Sequence, residues 1–326
     1  TETGAKDHPW KVAFLPGRDT VAALCCNGRL RLVPLGGGKE KSVAIGGSGL
    51  GAHTHLAASP TGAFVLAGRF CIDPATGKKL WSGGASEPWV PARTMVVAAD
   101  GRTAYAGTYR LDATTGEYSG TLIDPRGGHV GTVTASALSI SGELLATGDS
   151  SGIVVLTDLR SPVDPAAPAA VGRTRAGGCE DKNSATRGFF SRIDALAFGR
   201  QWLAVGGAAG EVRLLSTQDL ALARSLPTGG YTLALAFLRD GATLVAATHS
   251  PGGPTNLVVW NAETGQERLR IRDLGPCHHL SPSDSAETVA LALSTGVFLC
   301  DVSGIESLPP NDRAGDDMRD ALDGVV

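Results

Sequence analysis

Apolar residues in this chain arrive in short runs that alternate with small polar residues, and clusters of Gly, Ser, Asp and Pro separate the runs. Residues 127–158, GGHVGTVTASALSISGELLATGDSSGIVVLTD, show the pattern at its clearest. An alternating run from Val133 to Ser139 ends at a Ser141-Gly142 turn, and a second run covers Leu144 to Gly148. The turn Asp149-Ser150-Ser151-Gly152 then leads into Ile153 to Leu156, closed by Thr157-Asp158. Period-two alternation puts successive side chains on opposite faces of an extended chain. Gly, Ser and Asp supply the positive φ and local hydrogen bonds that tight reversals need. The stretch predicts three consecutive antiparallel strands.

Three strands cannot bury both faces alone, so recurrence matters. The position just before the first turn recurs at Pro16, Pro60, Ala99, Ile140, Arg200, Arg239 and Pro282, with spacings of 44, 39, 41, 60, 39 and 43. Seven copies of a unit about 40 residues long follow from this. Val133-Thr-Ala-Ser-Ala-Leu138 aligns without a gap to Ile193-Asp-Ala-Leu-Ala-Phe198 and Thr232-Leu-Ala-Leu-Ala-Phe237. Second strands read Phe64-Val-Leu-Ala-Gly68, Leu145-Ala-Thr-Gly148 and Leu203-Ala-Val-Gly206; third strands read Leu30-Arg-Leu-Val33, Val212-Arg-Leu-Leu215 and Leu257-Val-Val-Trp260. A shared Thr-Gly turn follows at Thr76-Gly77, Thr115-Gly116 and Thr264-Gly265.

The Gly128-His129 pair, the strand order and the Thr157-Asp158 ending resemble a WD40 repeat, with Thr157 where the name-giving Trp would stand. The resemblance covers the chain from about Trp10 to Leu308. It implies an all-β fold, a seven-bladed β-propeller of four-stranded antiparallel blades, as one domain over 1–310. Blades are expected near 10–46, 52–86, 92–124, 129–165, 190–228, 231–272 and 277–308. Only Leu257-Val-Val-Trp260-Asn261 approaches the Trp-Asp ending, so the repeats are degenerate, and Asp73-Pro-Ala-Thr-Gly-Lys-Lys-Leu-Trp81 also resembles a quinoprotein-type repeat. A closed ring of blades avoids long exposed sheet edges.

Two stretches break the repeat. The spacing of 60 carries a Pro/Ala-rich and then charged segment over 161–188, expected as a long inter-blade loop. At the other end, Met318, Ala321, Leu322 and Val325 have helical spacing within a tail, 311–326, expected as a short helix or an extended tail. Thr1-Glu-Thr-Gly4 resembles Ala262-Glu-Thr-Gly265, which offers it as the entry to a strand closing the ring beside blade seven.

Composition agrees: 44 Gly and 18 Pro with 5% aromatic residues suit many turns and short elements. A net charge of −3 gives no electrostatic case for nucleic acid, and no apolar run approaches a membrane span of about 18 residues. Cys25, Cys26, Cys71, Cys179, Cys277 and Cys300 are scattered without a C-x-x-C, which reads as buried thiols. The chain opens without a secretory signal pattern, so the expected location is cytoplasmic.

No Gly-x-Ser-x-Gly, P-loop, dinucleotide or His-Glu-x-x-His motif occurs. Of the seven histidines, His8, His53, His55, His129, His278 and His279 precede or begin a first strand, and His249 falls in a second-to-third-strand turn. All are expected on one face, near the channel mouth. The structural reading, hydrogen bonding between strands, outweighs a metal site, and no metal or cofactor is expected. Asp194 sits on a first strand where side chains face the channel. Arg173, Arg175 and Arg187 with Phe189 and Phe190 make a basic and aromatic stretch of the kind enriched at binding hot spots.

The resemblance and the missing motifs lead to an expectation of a non-catalytic protein–protein interaction scaffold. Candidate binding residues are Arg173, Arg175, Arg187, Phe189, Phe190, His53, His55, His278 and Asp194, with no catalytic residues. The expected partner is a protein or a domain fused in a longer polypeptide, with no nucleic acid or membrane, and the domain is expected to be monomeric. The alternatives are a propeller enzyme (lactonase-like hydrolase or quinone-dependent oxidoreductase) and a small-ligand or glycan sensor at the channel mouth.

Overall fold

The computed structural model describes residues 7–46, 55–83, 93–121, 128–160, 170–175, 192–250, 253–283, 285, 288–302 and 304. Blade one contains β1 (Pro9–Phe14), β2 (Thr20–Cys25), β3 (Arg29–Pro34) and β4 (Lys41–Ala44). Blade two contains β5 (Leu56–Ala58), β6 (Val65–Ala67), β7 (Phe70–Ile72) and β8 (Lys79–Ser82). Blade three contains β9 (Met95–Val97), β10 (Thr103–Ala106), β11 (Tyr109–Asp112) and β12 (Tyr118–Thr121). Blade four contains β13 (Val133–Leu138), β14 (Leu144–Asp149), β15 (Ile153–Asp158) and β16 (Ala170–Arg175). Blade five contains β17 (Ile193–Phe198), β18 (Trp202–Gly207), β19 (Glu211–Ser216) and β20 (Leu222–Pro227). Blade six contains β21 (Tyr231–Phe237), β22 (Thr243–His249), β23 (Thr255–Asn261) and β24 (Glu267–Ile271). Blade seven contains β25 (Cys277–Pro282), β26 (Thr288–Leu293) and β27 (Gly296–Asp301), three strands among the described residues.

Every sheet pairs its strands in chain order, antiparallel throughout. The architecture is a seven-bladed β-propeller. Among the described residues there is no helix, and so none long and apolar enough to cross a membrane. The stretch 161–188, expected as a single loop, contains β16, which pairs with β15 as the fourth strand of blade four. The rest of that segment, the tail 311–326 and residues 1–4 lie outside the described residues.

Middle strands are buried on both faces: β22 is buried from Thr243 to Thr248 and β15 from Ile153 to Thr157. Outer strands such as β4, β8 and β12 are largely exposed. Apolar layers fill the space between adjacent blades. Leu66 and Cys71 meet Ala104 and Leu111 between blades two and three, and Val245 and Leu257 meet Leu280 and Leu291 between six and seven. Among the described residues the layer between three and four is the thinnest, with Ala98, Tyr105 and Leu145 buried. Val12, Val21 and Ala23 of blade one pack on Ala290 and Ala292 of blade seven, closing the ring. The Phe14 N–H donates to Ser281 Oγ across that seam at 3.2 Å.

Glycines at the ends of second strands permit this stacking. A Cβ on Gly148 would stand 2.6 Å from Ile193 Cγ2 of the next blade, and one on Gly206 would stand 2.5 Å from Thr232 Cγ2. Only a hydrogen fits there, so blades five and six seat their first strands against bare backbone.

The polar residues of 127–158 serve the blade itself. Asp149 is fully buried and accepts four N–H groups, from Val130 (3.0 Å), Gly131 (3.0 Å), Ser151 (2.8 Å) and Ile153 (2.9 Å). Burial alone would raise its carboxyl, and those backbone donors outweigh burial, so it sits below the ordinary value. His129 Nε2 lies 2.8 Å from Thr147 Oγ1, and its Nδ1 lies 3.3 Å from Asp149. Third-to-fourth turns repeat one device: Asp73, Asp112 and Asn261 accept the N–H two residues on, and Gly77, Gly116 and Gly265 follow at φ of +74°, +78° and +80°.

Candidate functional site

The first strands converge on the axis, where their N-terminal ends enclose a cavity of about 250 Å³. A regular strand turns every second side chain toward its neighbours, and what lines this cavity is set by departures from that rule. Pairing between first and second strands slips by one residue at Trp10, Thr134, Asp194, Leu233 and His278. Such a bulge re-aims a side chain. All five bulged residues line the cavity. The next residue is Ala135, Ala195 or Ala234 in blades four to six, whereas blades one and seven place Lys11 and His279 at this step.

Charge concentrates there. Lys11, Arg93, Arg192 and Asp194 line the cavity together. The Arg192 guanidinium is bonded to Asp194 Oδ1 at 2.5 Å. Burial raises the Asp194 carboxyl above the ordinary range despite Arg192, Arg93 and Lys11 nearby. Burial likewise lowers the Lys11 ammonium, with Asp194 opposing the shift. His279 is pushed down to about 3 by burial and by the charge of Lys11, although its ring bonds the Val12 backbone. Thr94 and Ser136 share a hydroxyl hydrogen bond of 2.6 Å on the wall.

An aromatic cluster marks the seam between blades seven and one. The Trp10 and His278 ring centroids are 4.3 Å apart, and His8 lies 5.6 Å from Trp10 and 5.8 Å from His278. Cys26 Sγ is 3.5 Å from His8 Nδ1, while Asp7 engages the thiol of Cys25. Burial pushes the Cys25, Cys71 and Cys277 thiols up to about 12, which leaves them protonated and unreactive at neutral pH. Among the described residues no group of three His, Cys, Asp or Glu side chains is placed to hold a metal ion.

Of the candidate residues read from sequence, Asp194 and His278 share the cavity. His55 does not: it is buried, with Nε2 2.6 Å from the Gly68 carbonyl inside blade two. Arg173 and Arg175 belong to β16, where they register with Val155 and Ile153. Arg187, Phe189, Phe190 and His53 lie outside the described residues. His249 is the last residue of β22 and pairs with Tyr231 and Thr255, so it stands in the strand instead of the turn after it.

Sequence reading passed over Trp10, Lys11, Arg93 and Arg192, and placed His279 near the channel mouth without naming it a binding residue. For Lys11 and His279 a signal existed, since both occupy a step that three sibling repeats fill with Ala. Arg93 and Arg192 precede their strands, where no repeat register points to them. The chain matches no protein-family model, and no curated protein matches it either.

Proposed function

We propose that this propeller is a non-catalytic protein-binding scaffold of the WD40 type, which presents its partner with the face on which the first strands begin. The observation that supports it most is directional. The residues that depart from the repeat gather on one face, the five bulges and the charged cavity mouth, and Arg192 there directly follows residues 176–191 in sequence. Elsewhere the side-chain chemistry is spent on the blades themselves, as with His129, Thr147 and Asp149.

Arg187, Phe189 and Phe190, two to five residues before Arg192, supply the Arg and aromatic anchors that carry binding energy at interfaces. The partner is a protein, either separate or fused to this domain. The test is the triple substitution Arg187→Ala, Phe189→Ala, Phe190→Ala. As a change in a binding element outside the repeats, it is expected to leave the melting temperature within about 2 °C of the parent. Binding of a purified partner, first captured with the parent protein, is expected to fall at least about tenfold, equivalent to 1.4 kcal/mol. Unchanged affinity, or turnover of a substrate by the isolated protein, sinks the proposal.

A further inference from the structure

The chain as a whole carries a net charge of −3, yet the axial cavity is lined by Lys11, Arg93 and Arg192 against the single carboxylate of Asp194. Three basic side chains line this half-open cavity against one carboxylate, which is paired with Arg192, so Lys11 and Arg93 have no carboxylate partner of their own on the cavity wall. Charges of one sign held at short range in a poorly solvated space repel strongly, and a counter-anion relieves that repulsion. The local excess is a feature of the cavity, because the rest of the molecule is acidic.

The wall has further recognition chemistry. The hydroxyls of Thr94 and Ser136 stand on the same wall, bonded to each other and each able to turn to a ligand oxygen. The Trp10 and His278 rings, 4.3 Å apart and tilted by 41° to each other, line one side of the cavity. The volume, about 250 Å³, falls just below the roughly 300–1,000 Å³ of pockets for drug-sized molecules, which limits the ligand to a small one.

We propose that the axial cavity is a binding site for a small oxyanion, a phosphate or a compact carboxylate, held between Lys11, Arg93 and Arg192. Asp194 acts in this site as a built-in competitor. Its carboxylate bonds Arg192 at 2.5 Å and stands against any second anion that enters. The depressed ammonium of Lys11 fits this arrangement, since a bound anion returns to it the counter-charge that burial removed.

The experiment is isothermal titration of the full chain in phosphate-free buffer at constant ionic strength, with inorganic phosphate, malonate and an acidic tripeptide as separate titrants. Saturable one-to-one binding of phosphate or malonate is expected, and which of the two binds more tightly identifies the oxyanion class. Lys11→Met and Arg93→Gln are each expected to weaken binding at least about tenfold, and Asp194→Asn to strengthen it about tenfold, as removal of one nearby charge would. Circular dichroism melts establish that each variant is folded, and the two cation variants, on different blades, are independent of one another. Failure of both small anions to bind wild type and Asp194→Asn overturns the proposal. So does binding that ignores all three substitutions, or binding of the acidic peptide alone, which would make the cavity a socket for a protein partner's side chain.

Discussion

Asp149→Ala takes one carboxylate out of blade four and leaves four backbone N–H groups without their acceptor. Two belong to the connection that enters the blade, Val130 and Gly131 at 3.0 Å each, and two to the turn between β14 and β15, Ser151 at 2.8 Å and Ile153 at 2.9 Å. A buried donor left unmet costs about 1–3 kcal/mol, and bonds to an ionised acceptor lie toward the upper end. Water reaches some of the four, since the Val130 side chain is 74% exposed, while Ile153 is buried. Counting about half of the donors as stranded gives a loss of about 3–5 kcal/mol. The assay is urea unfolding at pH 7 followed by tryptophan fluorescence, with Asp158→Ala as the control. Asp158 bonds Arg160 on the surface and is expected to leave the midpoint unmoved. A loss under about 1 kcal/mol for Asp149→Ala, or equal shifts for the two variants, would refute the view that this repeat is built around a buried carboxylate.

Two further predictions follow from the packing and the cavity. Gly206→Ala forces a methyl to within 2.5 Å of Thr232 Cγ2 and should cost about 1–3 kcal/mol in urea unfolding; Thr232→Ser, which removes that methyl, should restore part of the loss. No recovery in the double variant would assign the cost to the remaining contacts, Thr232 Cβ at 2.8 Å and Leu235 Cδ1 at 3.0 Å. His279 stays neutral in the folded protein down to about pH 3, whereas the unfolded chain takes up that proton near pH 6.5. Its contribution to stability is therefore complete above pH 6.5 and declines as pH falls from there toward 3, by at most about 1.4 kcal/mol per unit. His279→Gln should flatten the stability profile between pH 6 and 4, with Lys11, His278, Arg93, Arg192 and Asp194 still present as background. Parallel profiles for parent and variant would remove His279 from that role.

The fold is readable in the chain because its determinants are local. The runs from Val133, Leu144 and Ile153 become β13, β14 and β15 with boundaries shifted by only a residue or two, since alternation and turn residues set both ends of each strand. Outer strands carry a weaker signal. Ala170–Arg175 lies at the edge of its sheet and pairs there only with β15, and a Pro/Ala-rich neighbourhood in the sequence conceals β16. The cavity is less legible still, because a bulge displaces one residue without changing which residues are apolar. Asp194 and His278 could be suspected from their residue types, but their meeting with Lys11 depends on ring closure, which joins β1 to β25 across more than 250 residues of chain. Lys11 and His279 show what a repeat alignment can yield, as positions where chemistry replaces Ala.

Hydrogen–deuterium exchange with and without the purified partner tests most directly which face of the ring binds. Protection is expected at the starts of β1, β9, β13 and β17, around the mouth of the cavity, and also at residues 176–191. Protection confined to the exposed outer strands β4, β8 and β12, or to the opposite turns at Asp100 and Asp240, would contradict it.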